Sequence, residues 1–265
     1  MKKIAANRLV FFSLITALFV STNAFSKQPP PPDFIPPAPP VHTKSFKAPL
    51  SVEDKKMLIT SVTFEEVPSI YDAPVHNYVT RLDTQYELPD LAGDLKSVIA
   101  IIDDLIAIGK KIWPIIDKNR PVITTDLKSM ISVLPRLEGN RVEMDLMENW
   151  SMPVAKSYRL ALKNGFNSDV IAFTYTVIFQ HSGTHDGKGK YLTSVKILAN
   201  EIYASWGFNF DAKSEMINIV NVGSKANPVA SAIFQVNYKG KGLLNEIQGA
   251  HTFYVDGNGG FQVLK

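Results

Sequence analysis

The chain has 265 residues, 28 Lys plus Arg against 25 Asp plus Glu, and no cysteine. Disulfide staples, thiolate metal sites and cysteine nucleophiles are therefore excluded. The formal charge of +3 comes entirely from the first 26 residues, so the basic balance gives no reason to expect nucleic-acid binding.

Residues 1–26 read as a secretory signal peptide. Lys2, Lys3 and Arg8 form a basic start, residues 9–20 are an apolar run, and small residues follow. That run is shorter than the ~20 residues a membrane-spanning helix needs. Beyond it, 25 basic residues face 25 acidic ones. The expectation is an exported protein, periplasmic or secreted, of a bacterial envelope. Residues 27–44 read as a proline-rich extended linker. The stretch PPPPDFIPPAPP at 29–40 holds eight prolines, which suits polyproline II and neither helix nor sheet.

Residues 45–149 read as a mixed helix and strand region. Ser51 followed by Val52, Glu53 and Asp54 predicts a capped short helix to about residue 59. Residues 61–67 and 75–82 read as short strands. The most periodic segment is 89–117. At 100° per residue, Leu95, Val98, Ile99, Ile101, Ile102, Leu105, Ile106 and Ile108 share one arc, with Lys96, Asp103, Asp104, Lys110 and Lys111 opposite. Pro89 and Asp90 suit a start and Gly109 an end. This pattern predicts one long amphipathic helix over about 90–109, broken before Pro114. Its charged face is balanced, unlike the basic face of a membrane-surface helix, so packing on the protein's own core is expected. Residues 121–123 and 142–146 read as strands, and 129–134 fits either period.

From Trp150 onward the period stays near two. Eight strands are expected, at about 155–163, 170–180, 190–198, 201–210, 215–222, 229–238, 247–255 and 260–264. Ile171, Phe173, Tyr175, Val177 and Phe179 form one stripe. Ile202, Ala204, Trp206, Phe208 and Phe210 form a second, and Ala230, Ala232, Phe234, Val236 and Tyr238 a third. Turn signals lie at Asn164-Gly165, Asp186-Gly187, Gly223-Ser224, Asn227-Pro228, Lys239-Gly240 and Asp256 to Gly260. The fold class this gives is α+β, mostly β. An antiparallel β-sandwich-like half at 150–265 carries a packed N-terminal part containing the long helix. Whether the two parts are separate domains stays open at this point.

Catalytic signatures are missing: no G-x-S-x-G elbow, no phosphate-binding glycine loop with lysine, no H-E-x-x-H. The best polar cluster is His181, His185 and Asp186, expected on a loop between two strands. Two imidazoles and a carboxylate on a short backbone are donors for zinc or another divalent ion, but the spacing fits no zinc pattern and assigns no metal. No fourth ligand can be named from the sequence; His251 and Glu215 are available elsewhere in the chain. The stretch from Asp256 to Gly260 lacks the later ligands of a calcium loop. Adjacent Asp103 and Asp104 diverge on a helix and form no catalytic pair. No cofactor is expected. The functional expectation is an exported, non-catalytic binding or scaffold protein with an envelope or extracellular partner. The alternatives are an exported hydrolase or metal-dependent enzyme using residues 181–186, and a membrane-active protein.

Overall fold

The computed structural model describes residues 50–69, 98–122, 130–138 and 144–264. The expected signal peptide, the proline-rich linker, the strand at 75–82 and the first part of the expected long helix lie outside these residues.

One short helix opens the described chain. Helix α1, Val52–Met57, is closed at its start by a capping box: Ser51 accepts from the Asp54 N–H, and Asp54 accepts from the Ser51 N–H. Extended backbone at Leu58 ends it and leads into strand β1, Ile59–Val67. Next come β2 (Val98–Ile102), β3 (Leu105–Ile108), β4 (Ile112–Asp117), β5 (Arg120–Pro121) and β6 (Ile131–Pro135). A 3-10 turn at Met144–Leu146 precedes β7, Met147–Glu148. The long strands follow: β8 (Val154–Asn164), β9 (Asp169–His185), β10 (Lys188–Ala204), β11 (Asn209–Asn221), β12 (Ala230–Lys241), β13 (Glu246–Asp256) and β14 (Phe261–Leu264).

These strands build two antiparallel sheets. The first runs β1-β8-β9-β10-β6-β3-β2, with β7 paired to β9. The second runs β14-β13-β12-β11-β4-β5. Alternation of side chains puts one row of each strand between the sheets. Ile171, Phe173, Tyr175, Val177 and Phe179 of β9 are fully buried, and so are Ala230, Ala232, Phe234 and Val236 of β12. Rings meet across the interface: Phe173 and Phe210 lie 5.4 Å apart between centres, Tyr158 and Phe253 5.3 Å. The described residues thus form a mostly antiparallel β-sandwich with one short α-helix.

The expected long helix is not there in the described residues. Val98–Ile102 and Leu105–Ile108 instead form a tight hairpin, Ile102 pairing with Leu105 across Asp103 and Asp104. The physical reason is composition. The run VIAII-DD-LIAI is rich in β-branched residues, which pack well on a pleated sheet and lose side-chain freedom in a helix. The two aspartates take the turn, with Asp103 at a left-handed φ of 48°. β3 then pairs with β6, and all four of its residues are buried. Helical and strand periods coincide in so short an apolar run.

Strands of the earlier region are interleaved with later ones in both sheets, β1 beside β8, β6 beside β10 and β4 beside β11. Two expected strands, 190–198 and 201–210, are redistributed. β10 runs unbroken to Ala204, and β11 starts only at Asn209. The expected turn at Lys239-Gly240 is strand interior: Gly240 pairs with Phe210 on one side and Ile247 on the other. A Cβ there would lie 2.2 Å from the Leu162 methyl, so glycine serves close sheet packing rather than a turn.

Side-chain amides tie the structure where strands stop. Asn245 donates to the Ile59 carbonyl at 2.7 Å and accepts from the Ile59 N–H at 2.9 Å. Asn119 donates to the Phe208 carbonyl at 3.1 Å and accepts from the Phe210 N–H. Each copies the two bonds of a ladder pair.

Candidate functional site

His181, His185 and Asp186 lie on a hairpin, not on a loop. β9 continues through His185, which pairs with Lys188. Only Asp186 and Gly187 form the turn, at φ 50° and 69°, as a type I′ hairpin requires. The Asp186 side chain is exposed, and one carboxylate oxygen lies 3.6 Å from His185 Nδ1. His185 Nε2 is buried with no hydrogen-bond partner among the described residues. His181 Nδ1 is 2.8 Å from the Ser182 hydroxyl, and Gly259 leaves room for the imidazole edge. Burial holds His181 below the ordinary histidine range; Lys190 adds to this and Asp256 opposes it. Among the described residues, no three His, Asp or Glu side chains are grouped to hold a metal ion.

His251 sits elsewhere, between the sheets. Its ring stacks on Phe64 at 3.6 Å and on Tyr238 at 5.3 Å between centres. Tyr175 Oη lies 3.5 Å from its Nδ1, beyond a good hydrogen bond. Tyr158, directly opposite Tyr175 on the neighbouring strand, has a buried hydroxyl without a hydrogen-bond partner among the described residues. Burial pushes His251 down to about 4. Burial also raises both tyrosines, with Glu66 adding to the effect at Tyr158. At neutral pH the imidazole is therefore uncharged and the phenols keep their protons. Such a cluster packs rather than performs acid–base chemistry.

The outward row of the first sheet carries hydroxyls. Ser157 and Thr176 are 2.7 Å apart, and the Asn200 amide donates to Thr176 at 2.7 Å. Lys196, whose ammonium form is disfavoured by burial, makes no hydrogen bond to this row. A nucleophile paired with a base is thus not assembled there.

A different feature stands out at one end of the sandwich. Three hairpin turns and α1 converge there. The β8–β9 turn is closed by the Asn167 N–H on the Asn164 carbonyl, the β10–β11 turn by the Phe208 N–H on the Ser205 carbonyl, and the β12–β13 turn by the Gly242 N–H on the Asn245 carbonyl. The Gly165 N–H donates to the Lys55 carbonyl of α1, and the Ser205 N–H to the Val170 carbonyl of β9. The tips of these turns are Phe166, Trp206, and Leu243 with Leu244, with side chains in solvent. Trp206 is 83 % exposed and Leu243 63 %. A Cβ on Gly207 would sit 3.6 Å from Leu243 and 3.8 Å from Met57, so the β10–β11 and β12–β13 turns and α1 adjoin. A groove lined by Lys241–Glu246 and Gln248 runs beside the leucines.

The sequence pattern placed Trp206 on an inward stripe with Phe208 and Phe210. Those two are buried and Trp206 is not. The signal that marks it is Gly207, at φ 85°, in the third position of the turn. Leu243 and Leu244 give no turn signal at all, because neither has a positive φ.

No family model, curated protein or solved structure matches the chain.

Proposed function

We propose that this is an exported, non-catalytic binding protein of the cell envelope, and that it makes contact through the turn end carrying Trp206. The observation that supports it is the placement of bulky apolar side chains at three turn tips, with Trp206 83 % exposed. Hairpin tips ordinarily carry Asn, Asp and Gly because the backbone asks for them. Leucines at a tip serve no backbone need, and clustered exposed apolar groups mark interaction surfaces. Tryptophan is also the residue most enriched among those that dominate interface energetics.

A photo-crosslinking residue at position 206, introduced into the full chain in its producing cells, tests the reading. An envelope component should be captured from position 206 and not from position 225, in the β11–β12 connection at the other end. Equal capture from both positions, or none from either, refutes the assignment of the contact surface.

A further inference from the structure

We infer that the turn end is covered by the chain's own proline-rich residues 36–40, which a partner must displace, an inference that rests on the contact surface proposed above. The chain enters the fold at this end. Leu50 directly precedes Ser51, the cap of α1. At the far end of that helix, the Met57 carbonyl would lie 2.9 Å from a Cβ on Gly242, and the Met57 sulfur 3.8 Å from one on Gly207. A helix rises ~1.5 Å per residue, so Leu50 lies within roughly 15 Å of the Trp206 and Leu243 turns. Nine residues, 41–49, separate Leu50 from Pro40. A coil of that length spans roughly 18 Å on average, which matches the distance. Tethering of this kind gives a local concentration of millimolar order. A contact too weak to hold separate molecules together therefore forms within one.

Segment and surface also match in chemistry. Residues 36–40 read PPAPP, without charge. The three tips, 165–168 (GFNS), 205–208 (SWGF) and 242–245 (GLLN), are uncharged too. Around them acids and bases balance: Asp117, Asp211 and Glu246 offset Lys118, Arg120 and Lys241, and α1 carries two of each sign. Such a rim selects no highly charged partner. A run of this composition favours polyproline II, whose backbone is already extended and loses little freedom on docking. Its usual receptors are grooves lined by aromatic side chains. Trp206 supplies the exposed ring, and the groove along Lys241–Glu246 lies beside Leu243 and Leu244. Exposed Gln248 in that groove offers an amide donor to a carbonyl that polyproline II leaves unbonded.

Acrylamide quenching of Trp206 in the full chain tests this. The parent is compared with Pro36→Ser/Pro37→Ser/Pro39→Ser/Pro40→Ser, each with and without Trp206→Phe. Trp113 is core and Trp150 packs on Gly183 toward the other end, so the difference reports residue 206. Where affinity is close to the local concentration, about half the molecules are covered, so the serine variant should be quenched about twofold more. This difference should not depend on protein concentration. Equal quenching of Trp206 in parent and serine variant overturns the inference. Protection that grows with protein concentration also overturns it, and indicates a second copy on the same surface. Capture of an envelope component from position 206 with unchanged quenching leaves the contact surface standing without its cover. A rise in quenching with no capture from position 206 in either chain establishes the cover and refutes the contact surface.

Discussion

The imidazole of His251 lies flat on the ring of Phe64, their centres 3.6 Å apart and planes inclined by 16°. This stack joins the edge strand of one sheet to the facing strand of the other. Around His251 are Phe64, Tyr238 and Tyr175, and no carboxylate makes an ion pair with it among the described residues. Its folded-state pKa is depressed to about 4 by burial. The sign follows directly. Below the ordinary pKa of ~6.5 the unfolded chain takes up a proton that the folded chain refuses. Stability from this group is complete above pH 6.5 and is lost as pH falls toward 4. The full loss is roughly 3 kcal/mol. Urea unfolding across this range should show that decline, and His251→Phe, which keeps a ring in the stack, should flatten it. An unchanged slope in His251→Phe would show that another group carries the acid sensitivity.

Asn245 holds the start of β1 by two bonds to one residue, donating to the Ile59 carbonyl and accepting its N–H. Ile59 is buried, so water cannot fully replace either bond. Asn245→Ala leaves both backbone groups unsatisfied at roughly 1–3 kcal/mol each. A loss of about 2–6 kcal/mol is expected in denaturant unfolding. Asn245→Asp keeps the acceptor and should recover part of it. Amide exchange gives an independent check, because the Ile59 N–H should lose its protection in Asn245→Ala.

Much of the sandwich was legible from alternation alone. A stripe such as Ile171 to Phe179 can only be half-buried strand, since every second residue is large and apolar over nine residues. Two things were not legible. The segment 98–108 fits both periods because aliphatics fill nearly every position, so pattern is silent and β-branching decides. Trp206 continues an apparent stripe, and only the backbone conformation at Gly207 lifts it out of the sheet. The cluster at 181–186 holds residue types that bind metals, but pattern gives no side-chain placement, and the left-handed φ of 65° at Ser182 sends His181 and His185 to separate surroundings.

That separation has a measurable consequence. With no third His, Asp or Glu grouped with His181 and His185 among the described residues, a divalent ion would find at most an incomplete ligand set. Adding zinc or a chelator should therefore leave the melting temperature unmoved. His181→Ala/His185→Ala should respond identically to the parent. A saturable rise in melting temperature with zinc that the double variant loses would establish a metal centre and favour the enzymatic alternative.

The hairpin at Asp103-Asp104 makes the sharpest test of the fold, because helix and hairpin predict opposite signs. In the hairpin, Asp103 is the first of two central residues and holds a left-handed φ of 48°. A side chain is disfavoured there, and glycine is the residue that suits it. Asp103→Gly should leave stability unchanged or raise it by up to about 1 kcal/mol. In the middle of an amphipathic helix the same change would cost about 0.5 kcal/mol, and Asp103→Pro would cost about 3. Ile106→Asp separates the two faces of the question. Ile106 is fully buried between β2 and β6, and a carboxylate has no partner there, so this variant should fail to fold cooperatively. Retained cooperative unfolding in Ile106→Asp, together with a loss in Asp103→Gly, would mean that this segment is an exposed helix and not the inner part of the first sheet.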